Sequence, residues 1–253
     1  MSRSDTGSWR ADGDAVAAMT PTPPIAQPPI AQPPGASQAG RRLRILGALA
    51  GITGPVLLAA YFVTPVLVGW PFGGESAAKL TAYADTHRLL FYLGGWLQAT
   101  GALLSIVFIL VLLQQSGARR TLAGSATLIG CATLLSVVAV EAALLEAVPV
   151  AAANGDHATV ATAFALSNGV FVRIYPLAPA PLVFAGIGFV LLQTTVLPRA
   201  FGRTAVVISG LYIVAGFAAV FGTVGLILAT VMSAAEAIWI PAAAIAFART
   251  MRS

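Results

Sequence analysis

The chain has 253 residues, of which 58% are hydrophobic and only 9% charged, and its formal net charge is +5. A mean hydropathy of +0.86 excludes a soluble globular domain, in which about a quarter of residues are charged. A pI near 10.0 would suit a nucleic-acid binder, but the arginines stand at the ends of separate apolar runs rather than on one face among aromatics, so no nucleic-acid partner is expected.

The first 40 residues differ from the rest: polar and acidic residues lead into PPIAQPPIAQPP, a five-residue repeat from Pro23 to Pro34. Proline pairs favour polyproline II, and the few large apolar side chains do not offset the entropy of ordering, so 1–40 is expected to be a disordered cytoplasmic tail. The remainder, 41–253, is expected to form an all-α polytopic membrane domain. Arg41, Arg42 and Arg44 precede the apolar run Ile45–Val68, in the manner of a twin-arginine export signal. That run is too long for a cleaved signal, ends at Gly69-Trp70-Pro71 without a small-residue cleavage site, and is followed by further spans, so it is the first transmembrane helix. Gly47 and Gly51 make a small-xxx-small pair that would admit another helix closely.

An outer connection, Gly69–His87, opens with the belt aromatics Trp70 and Phe72, and its middle suits a short surface helix with Glu75 and Lys79 at i,i+4. The second span is 89–113. The third, 121–148, carries Glu141 and Glu146 in its outer half and is expected to end at Pro149. The fourth is expected over 170–196, starting near Val170 or Leu177, with Arg173, Pro176, Pro179 and Pro181 in its first turns. From Thr204 to Phe247 only Glu236 is charged, and one helix of that length would measure about twice the hydrocarbon thickness. Two spans, 204–222 and 227–247, are therefore expected, joined by a turn between Gly222 and Ser233. Six helices bring the four arginine clusters, Arg41/Arg42/Arg44, Arg119/Arg120, Arg199/Arg203 and Arg249/Arg252, to one end of the molecule. The positive-inside rule makes that end cytoplasmic, with both termini there. Arginine-heavy, alanine-rich usage looks like that of a GC-rich bacterial genome, and the expected location is the bacterial inner membrane.

Ionisable groups inside a bilayer are costly, so those in or beside the spans are the candidate site residues: Glu141, Arg173, Glu236, Glu146 and Arg88. Glu141 lies seven residues before Val148, about 10 Å below the expected outer end of its helix. Glu146 is i,i+5 from Glu141, on a different face, which argues against a paired general acid and base. Arg173 either reaches inward to Glu141 or snorkels to the headgroups, and Arg88 suits an interface anchor. His87 and His157 lie in outer segments rather than at matched depths, no Cys or His cluster has metal spacing, and Ser209 has no intramembrane histidine to activate it. No cofactor, metal or enzymatic activity is expected, and the single Cys131 forms no internal disulfide.

VLLQ…ARRTLAG from Val111 echoes VLLQ…FGRTAVV from Val190, two hairpins running the same way through the membrane. The hairpin LPRAFGRTAVVISGLYIVAGF, Leu197 to Phe217, resembles the LPR-x-x-G…G-x-Y signature of an uncharacterised bacterial family of six-span membrane proteins. Ala82, His87, Arg88 and Leu89 resemble that family's approach to the second span, and VVAVEAALL from Val137 its third-span acidic motif, here without the basic residue that often accompanies the acid. The resemblance implies a six-helix membrane fold over roughly 41–250 and no reaction, substrate or cofactor.

The favoured expectation is therefore a non-enzymatic accessory or structural component. Its partners are the lipid bilayer and an unidentified membrane protein or a second copy. The alternative is a small-solute or proton-coupled transporter built on Glu141, Glu236 and Arg173. A polar cavity toward the bilayer midplane separates the two, because a structural protein is packed shut there.

Overall fold

Within a bilayer each backbone N–H and C=O must be paired inside its own segment, which makes helices of apolar runs this long. A computed structural model describes residues 36–67, 69–71 and 75–250, and among them it is all-α. Among the described residues six helical stretches are long and apolar enough to cross a membrane: Gly40–Val63, Arg88–Gln115, Leu122–Ala153, His157–Gln193, Arg199–Phe221 and Val224–Arg249. The protein is a multi-pass membrane protein. The PPIAQ repeat and the disorder expected of residues 1–35 lie outside the described residues, whereas residues 36–40, expected to belong to the disordered tail, are helical.

Helix α1 (Ala36–Leu67) starts nine residues before Ile45, since Ala, Gln and Arg ahead of the apolar run are good helix formers. α2 (Ala77–Thr86) is the short outer helix, capped by Ser76, whose hydroxyl accepts the Lys79 N–H at 3.4 Å, and flanked by a Lys79–Glu75 ion pair of 2.8 Å. α3 (Arg88–Gln115) is followed, after its C-cap Ser116, by Gly117, whose φ of 69° favours glycine. Thr121 then caps α4 (Leu122–Ala153), accepting the Gly124 N–H at 3.1 Å.

Pro149 does not end α4; the helix passes through it to Ala153. Packing overrides the lost hydrogen bond there, because Val148, Ala151 and Ala152 are buried in an outer core with Leu80, Ala84, Val160 and Phe164. The fourth crossing also differs from expectation. It begins at His157, thirteen residues early, where the Asp156 carboxylate caps α5 (His157–Gly169) by accepting the Thr159 N–H at 3.0 Å and its hydroxyl at 2.5 Å. A π-helical turn, Val170–Ile174, follows, then α6 (Tyr175–Leu177) and α7 (Pro179–Gln193). Pro176, Pro179 and Pro181 lack the N–H donors that a continuous helix needs, so the crossing is broken at its middle.

α8 (Arg199–Ala218) leads through a tight 3₁₀ turn, Ala219–Phe221, and Gly222 at φ 61° into α9 (Thr223–Arg249). The last helix thus starts four residues before the expected 227. Close backbone approach fastens the bundle at glycines. A Cβ on Gly54 of α1 would stand 2.7 Å from the Gly101 carbonyl oxygen of α3, and one on Gly101 would stand 2.9 Å from that of Gly54. At the arginine end, Arg44 Nε donates to Gln115 Oε1 at 2.9 Å, joining the start of α1 to the end of α3.

At the opposite end α2 and α5 form an aromatic cap. Trp70 packs 5.2 Å from Phe91 and 5.3 Å from Phe164, centroid to centroid. Thr81 donates its one hydroxyl proton to the Ala77 carbonyl at 2.9 Å, so in its 2.7 Å contact with His157 Nδ1 the imidazole is the donor. Burial pushes the Tyr83 hydroxyl above its usual range in this cap, and the Thr159 hydroxyl and N–H hold Asp156 below the usual carboxylate range.

Candidate functional site

Glu236 occupies the midpoint of α9, thirteen residues from Thr223 and thirteen from Arg249. At ~1.5 Å per residue that is ~20 Å of helix on either side. Its side chain is 7% exposed. Two tyrosines donate to the same carboxylate oxygen, Oε2: Tyr212 of α8 at 2.6 Å and Tyr175 of α6, the first residue after the π turn. The two rings meet edge to face, their centroids 5.6 Å apart at 84°, and Tyr212 is fully buried. The broken fourth crossing is what brings Tyr175 to this point.

Glu141 is 4% exposed and lies twelve residues before Ala153, so it stands about 18 Å below the outer end of α4, deeper than a helix ending at Val148 would put it. Its polar neighbours are the Gln98 amide of α3 and the Tyr61 hydroxyl of α1. Among the described residues neither buried carboxylate has a lysine, arginine or histidine within ion-pair reach.

Both carboxylates open onto one cavity of about 40 Å³, whose other polar lining is Gln98, Ser105, Tyr175 and Ser233 and whose apolar walls include Pro55, Phe62, Val138 and Phe171. That is room for about three waters. Gln98 Oε1 is buried there without a hydrogen-bond partner. An orphaned acceptor in an apolar interior costs ~1–3 kcal/mol, so the cavity chemistry calls for a donor or a cation.

The other candidates are elsewhere. Arg173 lies in the π turn and is exposed, as is Arg88 at the start of α3. Glu146 is exposed, its Oε1 alongside Gly95 of α3. No group of three or more His, Cys, Asp or Glu that would hold a metal ion occurs among the described residues. Sequence reasoning missed Tyr61, Gln98, Tyr175 and Tyr212. Gln98 did carry a signal, an amide in the interior of an otherwise apolar span, which is expensive unless partnered. The tyrosines did not, because tyrosine is equally at home in a membrane-interface belt.

No family model, no curated protein and no solved structure matches the chain.

Proposed function

We propose that this protein is a non-enzymatic ion-handling carrier of the bacterial cytoplasmic membrane, in which Glu141 and Glu236 take up and release protons from the buried cavity. One observation carries the reading: two carboxylates from different helices open into a single acceptor-lined cavity, with no lysine, arginine or histidine among the described residues in ion-pair reach of them. A carboxylate so far from water, hydrogen-bonded but without a counter-charge, is still unfavourable in its ionised form, and a proton or bound cation relieves it. A broken helix beside Glu236 supports the reading, since discontinuous helices typically form the coupling-ion sites of membrane carriers. The four arginine clusters support cytoplasmic termini. The family resemblance of the Leu197–Phe217 hairpin adds no reaction to this.

The test is proton flux in proteoliposomes that enclose a pH-sensitive dye. Wild-type protein is expected to dissipate an imposed pH gradient faster than protein-free vesicles, and Glu141→Gln and Glu236→Gln to fall to the protein-free rate. Wild-type vesicles no faster than empty ones would overturn the reading. The accessory or structural role is a second reading, favoured by the Tyr175–Glu236–Tyr212 cluster, which ties α6, α8 and α9 together whatever the protein moves. It predicts no flux from wild type, together with a large loss of stability in Glu236→Leu.

A further inference from the structure

The polar lining of the cavity is almost free of donors. Ser105 Oγ gives its proton to the Gly101 carbonyl at 2.9 Å and Ser233 Oγ gives its proton to the Ala229 carbonyl at 3.0 Å, so each hydroxyl retains only lone pairs. The Gln98 amide N–H₂ faces Glu141, which leaves Gln98 Oε1 as a buried acceptor with no partner. Both tyrosine protons near Glu236 go to Oε2, so Oε1 of that carboxylate carries neither bond. Four helices thus contribute polar side-chain oxygens to the lining of one cavity: α3 through Gln98 and Ser105, α4 through Glu141, and α6 and α9 through Tyr175, Ser233 and Glu236.

From this convergence we propose that the cavity is a binding site for a monovalent cation of sodium's class, held by Gln98 Oε1, the two serine hydroxyls and the carboxylates, in competition with the proton on Glu141. Hard cations take oxygen ligands, and oxygen dipoles that replace a hydration shell are the means by which membrane proteins hold alkali ions. Few carboxylates among several neutral oxygens suit a single positive charge better than a divalent ion. The volume accommodates a largely dehydrated ion with one or two retained waters. The titratable groups facing Glu141 are Tyr61 from α1, Tyr175 from α6 and Glu236 from α9, while α3 contributes only neutral Gln98 and Ser105. Nothing cationic among the described residues competes with a bound ion.

The proposal rests on the proton-handling reading for its competition and has its own readout. Binding of radioactive sodium to the purified full-length protein is measured in detergent with choline as the background salt, at pH 6 and pH 8, alongside proton release when sodium chloride is added in weak buffer. Saturable binding is expected, tighter at the higher pH, with proton release. Gln98→Met, which keeps the side-chain volume but removes both the acceptor and the N–H₂ donor to Glu141, is expected to weaken sodium at least tenfold while remaining folded in detergent. Glu141→Gln is expected to abolish the proton release. Folded wild type that binds no sodium, lithium or potassium at either pH overturns the cation site, and if proton flux persists in proteoliposomes the carrier reading survives it. Wild-type affinity in Gln98→Met also overturns the assignment, and sodium binding without proton release overturns the competition.

Discussion

At the scale of single residues, the cost of charge in an apolar medium decides which groups matter. Glu236 at the middle of a membrane helix is tolerable because two hydroxyls donate to it. Hydrogen bonds to a charged group contribute about 1.5–3 kcal/mol, so Tyr212→Phe is expected to lower stability by about that amount, read as thermal unfolding in detergent. Glu236→Gln retains an acceptor for the tyrosines and should lose less than Glu236→Leu, which strands both hydroxyls in the interior. A Tyr212→Phe variant as stable as wild type would show that the carboxylate does not need this donor. Glu141 and Glu236 were legible in the sequence because an acid in an apolar run is conspicuous. Their partners were not, since the meeting of Tyr61, Gln98, Tyr175 and Tyr212 with them depends on which helices become neighbours.

Among the elements, proline and glycine are the residues whose meaning tertiary packing decides. Pro149 reads as a stop and is passed by a helix whose far end is buried, whereas Pro176, Pro179 and Pro181 do interrupt the fourth crossing and set Tyr175 beside Glu236. Apolar length and the arginine clusters made the six spans legible. The early start of α5 was not, because HATVATAFALSNG carries no strong hydropathy contrast with the outer stretch before it. Glycines are sorted by what faces them. Gly101→Ala adds a Cβ 2.9 Å from the Gly54 carbonyl oxygen and is expected to destabilise by ~1–3 kcal/mol through overpacking of α1 on α3. Gly210→Ala on α8 meets nothing within 4 Å, and it should be neutral or stabilise by up to ~1 kcal/mol, because alanine is the better helix residue. Equal unfolding temperatures for the two variants would contradict the close α1–α3 contact.

For the whole molecule, six crossings put both ends of the membrane unit on one side and the α2–α5 cap on the other. Reporter fusions after Gly117 and after Thr195 should read as cytoplasmic and a fusion after Asp156 as external; one reversed site would contradict the orientation. The central claim is that the carboxylates of the buried cavity change protonation in the folded, membrane-embedded protein. Infrared difference spectroscopy of reconstituted protein, cycled between acidic and alkaline buffer, measures this directly through the carbonyl stretch of protonated carboxylic acids. A reversible band in wild type that is lost or halved in Glu141→Gln and in Glu236→Gln is the predicted result. A difference spectrum in that region identical in wild type and both variants would contradict it.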